Sequence, residues 1–196
     1  MPIPPRSLTA AMGQMLAFDA SILSRSPIEL HSGSMTICSF LVIGLSKGEK
    51  PVGYIAIHHG IGDKRRTTEN LKKLSRRFDF DSYKVLEGGR ALSAAHRHKS
   101  PVYGVPEDTV TASNDGEVLY VKIPYVDEFS VVEGEDRDSS VELEEIVIDA
   151  LGKEKIPGDI ISHLRRMNMW ERALHRIQVG SDVRVVFKTE ISTNRE

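Results

Sequence analysis

Hydrophobic residues follow strand spacing most clearly between positions 35 and 58. The runs 35–45 and 52–58 are rich in β-branched and aromatic residues, and the polar connector 46–51 separates them. This composition is typical of strands, so the two runs predict a β-hairpin. A second hairpin is predicted from 109–112 and 117–126, because the Asp-Gly pair between them favours a tight turn.

Helical spacing of apolar residues appears in four other segments. Threonine caps and the Ser139 and Glu142 capping box mark two helix starts, whereas glycine and proline mark the ends. The predicted helices are 7–23, from Thr67 or Thr68 to about Phe78, 139–151 ended by Gly152, and about 158–177. A short strand at 83–87 with a turn at Gly88-Gly89, and a last strand at 183–191, complete the prediction.

These elements predict an α+β fold, with a mixed, mainly antiparallel sheet of hairpins packed against C-terminal helices. The chain of 196 residues is 40% hydrophobic, which is enough for one good core. The prolines among the first five residues favour extended polyproline geometry. We therefore predict a flexible N-terminal arm over 1–34 and a single domain over 35–196.

Charge is distributed unevenly along the sequence. Residues 1–100 carry 15 Lys and Arg against 8 Asp and Glu, a net charge of +7, and residues 101–196 carry 11 against 20, a net charge of −9. A protein with opposite charges on two surfaces can bind a polyanion with one of them and contact a second copy with the other. The alternative is that both signs intermingle on the folded surface.

Basic residues are densest in and just before the predicted helix that follows Thr67. Leu71, Leu74 and Phe78 fall on one side of that helix, and the lysines and arginines fall on the other. Such a surface suits the phosphates of nucleic acid or anionic lipid, although a solvated amphipathic helix has the same pattern. The candidate polyanion-binding residues are Lys64, Arg65, Arg66, Lys72, Lys73, Arg76 and Arg77, with Arg90, Arg97 and Lys99 in the stretch that follows.

The cysteine and hydropathy patterns indicate a cytosolic or nuclear environment. Cys38 is the single cysteine, so an intrachain disulfide is impossible. The longest apolar run has about ten residues, which is shorter than a membrane-spanning helix needs. A secretory signal is not expected either, because the N-terminus lacks a charged region followed by an apolar segment.

Catalytic and cofactor motifs are incomplete in this sequence. His98-Lys99-Ser100 matches one His-x-Ser element of the two-histidine phosphoesterases, but a second element is missing. His58-His59 and His96-Arg97-His98 lack further ligands at metal-binding spacing. We therefore expect no metal, no cofactor and no enzymatic activity. A phosphodiester-processing enzyme that uses His98 with another histidine remains the alternative.

Residues 88–128 carry an ordered pattern of glycine, basic residues, histidine and proline, followed by a predicted strand that ends in an aromatic and acidic cluster. Its positions are Gly89-Arg90-Ala91-Leu92, His96-Arg97, Lys99, Pro101, Val105-Pro106-Glu107 and Tyr125-Val126-Asp127-Glu128. In order and approximate spacing, this stretch resembles a segment of the matrix proteins of vesiculovirus-type rhabdoviruses.

The resemblance implies a non-enzymatic virion protein that self-associates and bridges viral ribonucleoprotein and an anionic membrane. It implies a place in the virion and host cytoplasm, peripheral to the membrane, and leaves a nuclear stage open. Matrix proteins of this kind carry a lysine-rich arm and a Pro-Pro-x-Tyr motif, whereas this chain has Pro4-Pro5-Arg6. Membrane attachment would therefore use the basic segment 64–77. A small RNA-binding protein or regulator without catalysis is the remaining alternative.

Overall fold

The structure is a computed structural model, and it describes residues 3–35, 38–60, 62, 64–90, 110–123, 139–152 and 174–189. The secondary-structure elements in these ranges are ten strands, two α-helices and a short 3-10 helix at Ala20–Ser24. The strands are β1 Arg6–Thr9, β2 Gln14–Asp19, β3 Ile28–Met35, β4 Ser39–Lys47, β5 Lys50–His59, β6 Ser82–Arg90, β7 Val110–Ala112, β8 Val118–Lys122, β9 Leu174–Gln178 and β10 Val183–Thr189. The helices are α1 Lys64–Ser75 and α2 Ser139–Leu151.

Six of the strands form an antiparallel sheet in the order β6-β4-β5-β2-β8-β7. Both predicted hairpins belong to it and are confirmed as β4–β5 and β7–β8. Gly116 has a φ of 72° in the turn of the second hairpin, a conformation that favours glycine. β2 lies between the two hairpins in the sheet, where it pairs with β5 on one side and with β8 on the other.

The other four strands form a mixed sheet in the order β1-β3-β10-β9. β3 pairs in parallel with β1 on one side and with β10 on the other, and β10 pairs with β9 in an antiparallel manner. Parallel neighbours cannot be joined by a tight turn, so long stretches of chain separate these strands in sequence.

Two hydrophobic clusters cover the two faces of the six-stranded sheet. Side chains alternate along each strand, so Leu41 and Ile43 of β4 face the helices whereas Phe40 and Val42 face the four-stranded sheet. Leu71 and Leu74 of α1 and the apolar stripe of α2 complete the first cluster. The result is a layer of two helices, a six-stranded sheet and a four-stranded sheet, and the predicted α+β class is confirmed.

An ionic cluster joins the two sheets at their surface. Arg6 of β1 contacts Asp115 at 2.5 Å and Glu117 at 2.7 Å, and Arg25 also pairs with Glu117. A hydrogen bond from Ser113, helped by other contacts that include the Arg6 charge, lowers the pKa of Asp115. The first strand of the chain is therefore held both by pairing with β3 and by contacts to the β7–β8 hairpin.

The prediction for residues 1–34 is wrong from Arg6 onward. This segment contains β1, β2 and most of β3 instead of a flexible arm with a helix at 7–23. Met15 and Phe18 are at most 1% exposed because β2 is a central strand with both faces covered. A strand buried on both faces loses its polar alternation, and its apolar run then resembles a buried helix. The expected domain boundary falls at the end of β3.

Three smaller predictions also need correction. Gly88 and Gly89 lie within β6, opposite Leu41 and Phe40, and do not form a turn. Helix α1 begins at Lys64, so Thr67 and Thr68 lie inside it, and the Thr68 hydroxyl donates to the Lys64 carbonyl. Residues 174–178 form β9, so the helix predicted over 158–177 does not reach them, and its earlier part lies outside the described residues.

Candidate polyanion-binding site

Helix α1 is fixed to the six-stranded sheet by the side opposite its charged surface. Leu71 and Leu74 are at most 1% exposed in the cluster between helices and sheet. Asn70 is also buried, and its amide donates to the carbonyl of Lys122 on β8 at 3.2 Å. A Cβ on Gly53 of β5 would overlap the ring of Phe78, which follows α1, so the glycine provides the space in which that ring packs. Helix α1 is therefore held against the sheet along its middle and just beyond its C-terminal end.

The opposite side of α1 carries the predicted basic residues. Arg65, Lys73, Arg76 and Arg77 are exposed, and Arg66 and Lys72 are half-buried. Arg76 and Arg77 follow the last helical residue, but their amides donate to Lys72 and Leu74 at 3.2 and 3.3 Å, so the turn continues through them. We call these six residues, Arg65, Arg66, Lys72, Lys73, Arg76 and Arg77, the basic face.

Glu69 is the acidic residue within the segment 65–77, which therefore has six basic side chains against one acidic side chain. Its carboxylate lies 3.5 Å from Arg65 Nε, one turn earlier on the helix. An exposed pair of this kind contributes little to stability and exchanges easily with an external anion. The segment 65–77 thus carries a net charge of +5.

Lys64 has a different environment from the basic face. Its Nζ lies 2.9 Å from Glu145 and 3.7 Å from Asp149, both on α2. The hydrogen bond to Glu145 is the main cause that raises the pKa of Lys64. This lysine therefore joins the two helices, a role that the sequence did not reveal because its partners lie about 80 residues away.

The remaining predicted contacts are not on α1. Arg90 is the half-buried last residue of β6, paired in register with Ser39 of β4. Arg97 and Lys99 lie outside the described residues, as do His96 and His98. The structure therefore brings together six of the ten predicted residues on one surface, with Lys64 beside them.

The adjacent histidines of β5 point to opposite faces of the six-stranded sheet. His58 is buried between the two sheets, where Nδ1 lies 3.0 Å from the Ala10 carbonyl and Nε2 lies 2.8 Å from Cys38 Sγ. Burial is the main cause that lowers the pKa of His58 to about 4. Because side chains alternate along a strand, the sequence could have predicted that His58 and His59 face opposite sides of the sheet. The sequence carried no signal for the contact between His58 and Cys38.

His59 faces the helices and is fully buried. Its Nε2 lies 3.5 Å from Glu142 Oε1 of α2, a distance that permits an ion pair but is too long for a hydrogen bond of good geometry. Nearby, Ser39 of β4 and Ser139 of α2 share a buried hydrogen bond of 2.9 Å. Buried imidazoles cannot reach a phosphodiester, so neither His58 nor His59 supports the hydrolytic alternative in this conformation.

The described ranges contain neither a metal-ligating cluster nor a membrane-spanning helix. Within them, no three His, Cys, Asp or Glu side chains lie close enough together to hold a metal ion. None of the helices described there is both long and apolar enough to cross a bilayer.

No protein-family model matches the chain, and neither a curated protein nor a solved structure shows significant similarity to it.

Proposed function

We propose that this protein is a non-enzymatic, matrix-like structural protein that binds polyanions through the basic face of α1. In this role it self-associates and bridges viral ribonucleoprotein and an anionic membrane, and it acts in the virion and host cytoplasm, with a nuclear stage possible. The matrix-like part of the proposal rests on the resemblance of residues 88–128. The polyanion-binding part rests on the surface of α1.

The observation that carries the proposal is the segregation of charge on α1. Six basic side chains lie on the side turned away from the core, and the apolar side chains of the same helix are buried. Each lysine or arginine near an anionic surface contributes about 1 kcal/mol to association. Six such residues on a helix that is already ordered supply enough attraction for binding without a deep pocket.

The first test compares charge reversal on the basic face with a matched reversal elsewhere. The variant Lys73→Glu, Arg76→Glu, Arg77→Glu changes three exposed residues. We expect its affinity for RNA or for vesicles containing anionic lipid to fall by at least about 100-fold, because each residue contributes about 1 kcal/mol. The log–log dependence of affinity on salt should also become shallower by about 2 to 3. Fluorescence anisotropy and vesicle sedimentation over a salt series measure both effects.

The matched control is Lys50→Glu, Lys84→Glu, Arg176→Glu, which changes three exposed residues on strands and gives the same change in net charge. We expect the control to lose much less affinity. Equal losses in the two variants would mean that only net charge matters, and unchanged affinity in the α1 variant would remove the basis of the proposal. Circular dichroism of both variants verifies that they fold.

A further inference from the structure

We infer that the basic face of α1 binds the two phosphate backbones of double-stranded RNA, without reading the base sequence. This inference rests on the proposed function and names the ligand of the same surface. Single-stranded RNA and an anionic membrane are the competing ligands for this surface.

The basic residues form two parallel stripes along the helix. At about 100° per residue, Arg65, Lys72 and Arg76 fall within roughly 40° of one another and form the first stripe. Arg66, Lys73 and Arg77 are each one position later, so they form a second stripe that is rotated by about 100°. With a rise of about 1.5 Å per residue, both stripes extend over roughly 17 Å.

Two stripes at this separation match two phosphate backbones better than they match one. On a helix about 10–12 Å across, two stripes about 100° apart are separated by roughly 8–9 Å at the helix surface. The minor groove of A-form RNA is wide and shallow, so arginine and lysine side chains that extend outward from the two stripes can contact the backbone on each side of it. A single strand would engage one stripe and leave the other unused.

The exposed surface of α1 lacks the aromatic side chains on which single strands stack, because Phe78 packs against the core cluster. Asn70, Thr67 and Thr68 are buried, and the Asn70 amide bonds to Lys122, so these amide and hydroxyl groups do not reach base edges. Arginine and lysine also read guanine, but the deep, narrow major groove of duplex RNA keeps side chains from its base edges. On duplex RNA, phosphate contacts are what remain, and these carry no sequence information.

Membrane insertion is also disfavoured for this helix. Interfacial helices place apolar side chains between lipid chains. The apolar residues of α1 are instead buried in the core, and the large exposed hydrophobic residues among those described are Ile3, Met12, Val110 and Val141, none of which is on α1. Glu145 and Asp149 of α2 lie next to Lys64 at the start of α1. Their carboxylates would repel a broad anionic membrane surface more than a nucleic-acid duplex that contacts α1 alone.

The experiment uses the full chain with three kinds of probe. These are two duplex RNAs of unrelated sequence and about 20 base pairs, their separate strands, and vesicles of phosphatidylserine and phosphatidylcholine. Anisotropy and sedimentation over a salt series give the affinities. We expect the two duplexes to bind within about threefold of each other and at least about tenfold more tightly than the single strands.

Stripe variants test whether both backbones are held. We expect Arg65→Gln, Lys72→Gln, Arg76→Gln and, separately, Arg66→Gln, Lys73→Gln, Arg77→Gln to weaken duplex binding by similar factors of at least about 10, each with a salt slope shallower by about 2 to 3. Lys50→Gln, Lys84→Gln, Arg176→Gln is the matched control, for which we expect a change of less than about threefold. A loss confined to one stripe would overturn the two-backbone inference.

Glu69→Gln provides an independent variant that needs no change to a basic residue. Glu69 lies between the stripes and is 52% exposed at its side chain, so its replacement should not affect folding. We expect duplex affinity to rise about threefold to tenfold for both sequences, because an acidic group between two phosphate backbones is removed. Unchanged affinity, or a gain for only one sequence, would overturn the inference.

The outcomes separate the inference from the proposed function. Binding to vesicles alone, or tighter binding to single strands, overturns the duplex inference and leaves polyanion binding intact. Failure to bind any of the three probes overturns both.

Discussion

His58 has a protonation state that follows from its two hydrogen bonds. The Ala10 carbonyl can only accept, so Nδ1 carries the proton and donates to it. Nε2 is then the acceptor for the Cys38 thiol. The imidazole is therefore neutral, and a proton added at Nε2 would break the thiol contact and place a charge between the sheets.

This environment predicts a loss of stability in acid. The pKa of His58 is lowered from 6.5 in the unfolded chain to about 4 in the folded protein. The unfolded state therefore takes up the proton first as pH falls, so the contribution of His58 is complete above pH 6.5 and is lost between pH 6.5 and pH 4. The free energy of unfolding should fall by about 3 kcal/mol over that range through this residue. Urea unfolding at a series of pH values measures the fall.

The control for this prediction is His58→Gln, which cannot titrate. The variant will be less stable at neutral pH, but its free energy of unfolding should change less between pH 6.5 and pH 4 than that of the parent chain. Identical pH profiles for the two proteins would contradict the assignment of the acid-sensitive step to His58.

On α1, Lys64 pairs with α2, whereas the residues of the basic face lie on the side turned away from the core. We expect Lys64→Met to lower the free energy of unfolding by up to about 1 kcal/mol, because its contacts to α2 are partly exposed ion pairs. Its affinity for RNA should stay within about twofold of the parent, whereas Lys73→Met should weaken binding about fivefold. Equal losses of affinity in the two variants would place Lys64 on the binding surface after all. Anisotropy and thermal unfolding of both variants distinguish the two roles.

Elements with a strong local pattern were predictable from the sequence. β4 and β5 follow from β-branched runs around a polar connector, and α2 follows from a stripe of buried Leu143, Ile146 and Val147 that ends at Gly152. β2 was not predictable, because Met15–Phe18 is buried by layers on both sides and carries no alternation of its own. The basic face followed from helical periodicity, but the separation of Lys64 depends on where α2 packs.

The N-terminal segment contributes strands to both sheets, so we expect its removal to destabilise the whole molecule. A chain that begins at Met35 loses β1, β2 and nearly all of β3. Because β2 lies between β5 and β8, the deletion divides the six-stranded sheet, and we expect the remaining chain not to unfold cooperatively. Circular dichroism and urea titration measure this. The earlier expectation of a flexible arm predicts the opposite result.

Removal of only residues 1–5 is the control for that deletion. Ile3, Pro4 and Pro5 are exposed and precede β1, so we expect the free energy of unfolding to change by no more than about 0.5 kcal/mol. A cooperative transition in the chain that begins at Met35 would show that the first three strands are dispensable.

The position of β3 between β1 and β10 has a consequence for the time course of folding. β10 and β9 are the last described strands of the chain, yet β10 is hydrogen-bonded along β3, which was synthesised about 150 residues earlier. Val185 and Phe187 of β10 also fill the cluster between the sheets. On the ribosome, the edge of β3 that pairs with β10 therefore stays without its partner until residue 189 has emerged, and we expect pairing across so long a sequence separation to slow folding.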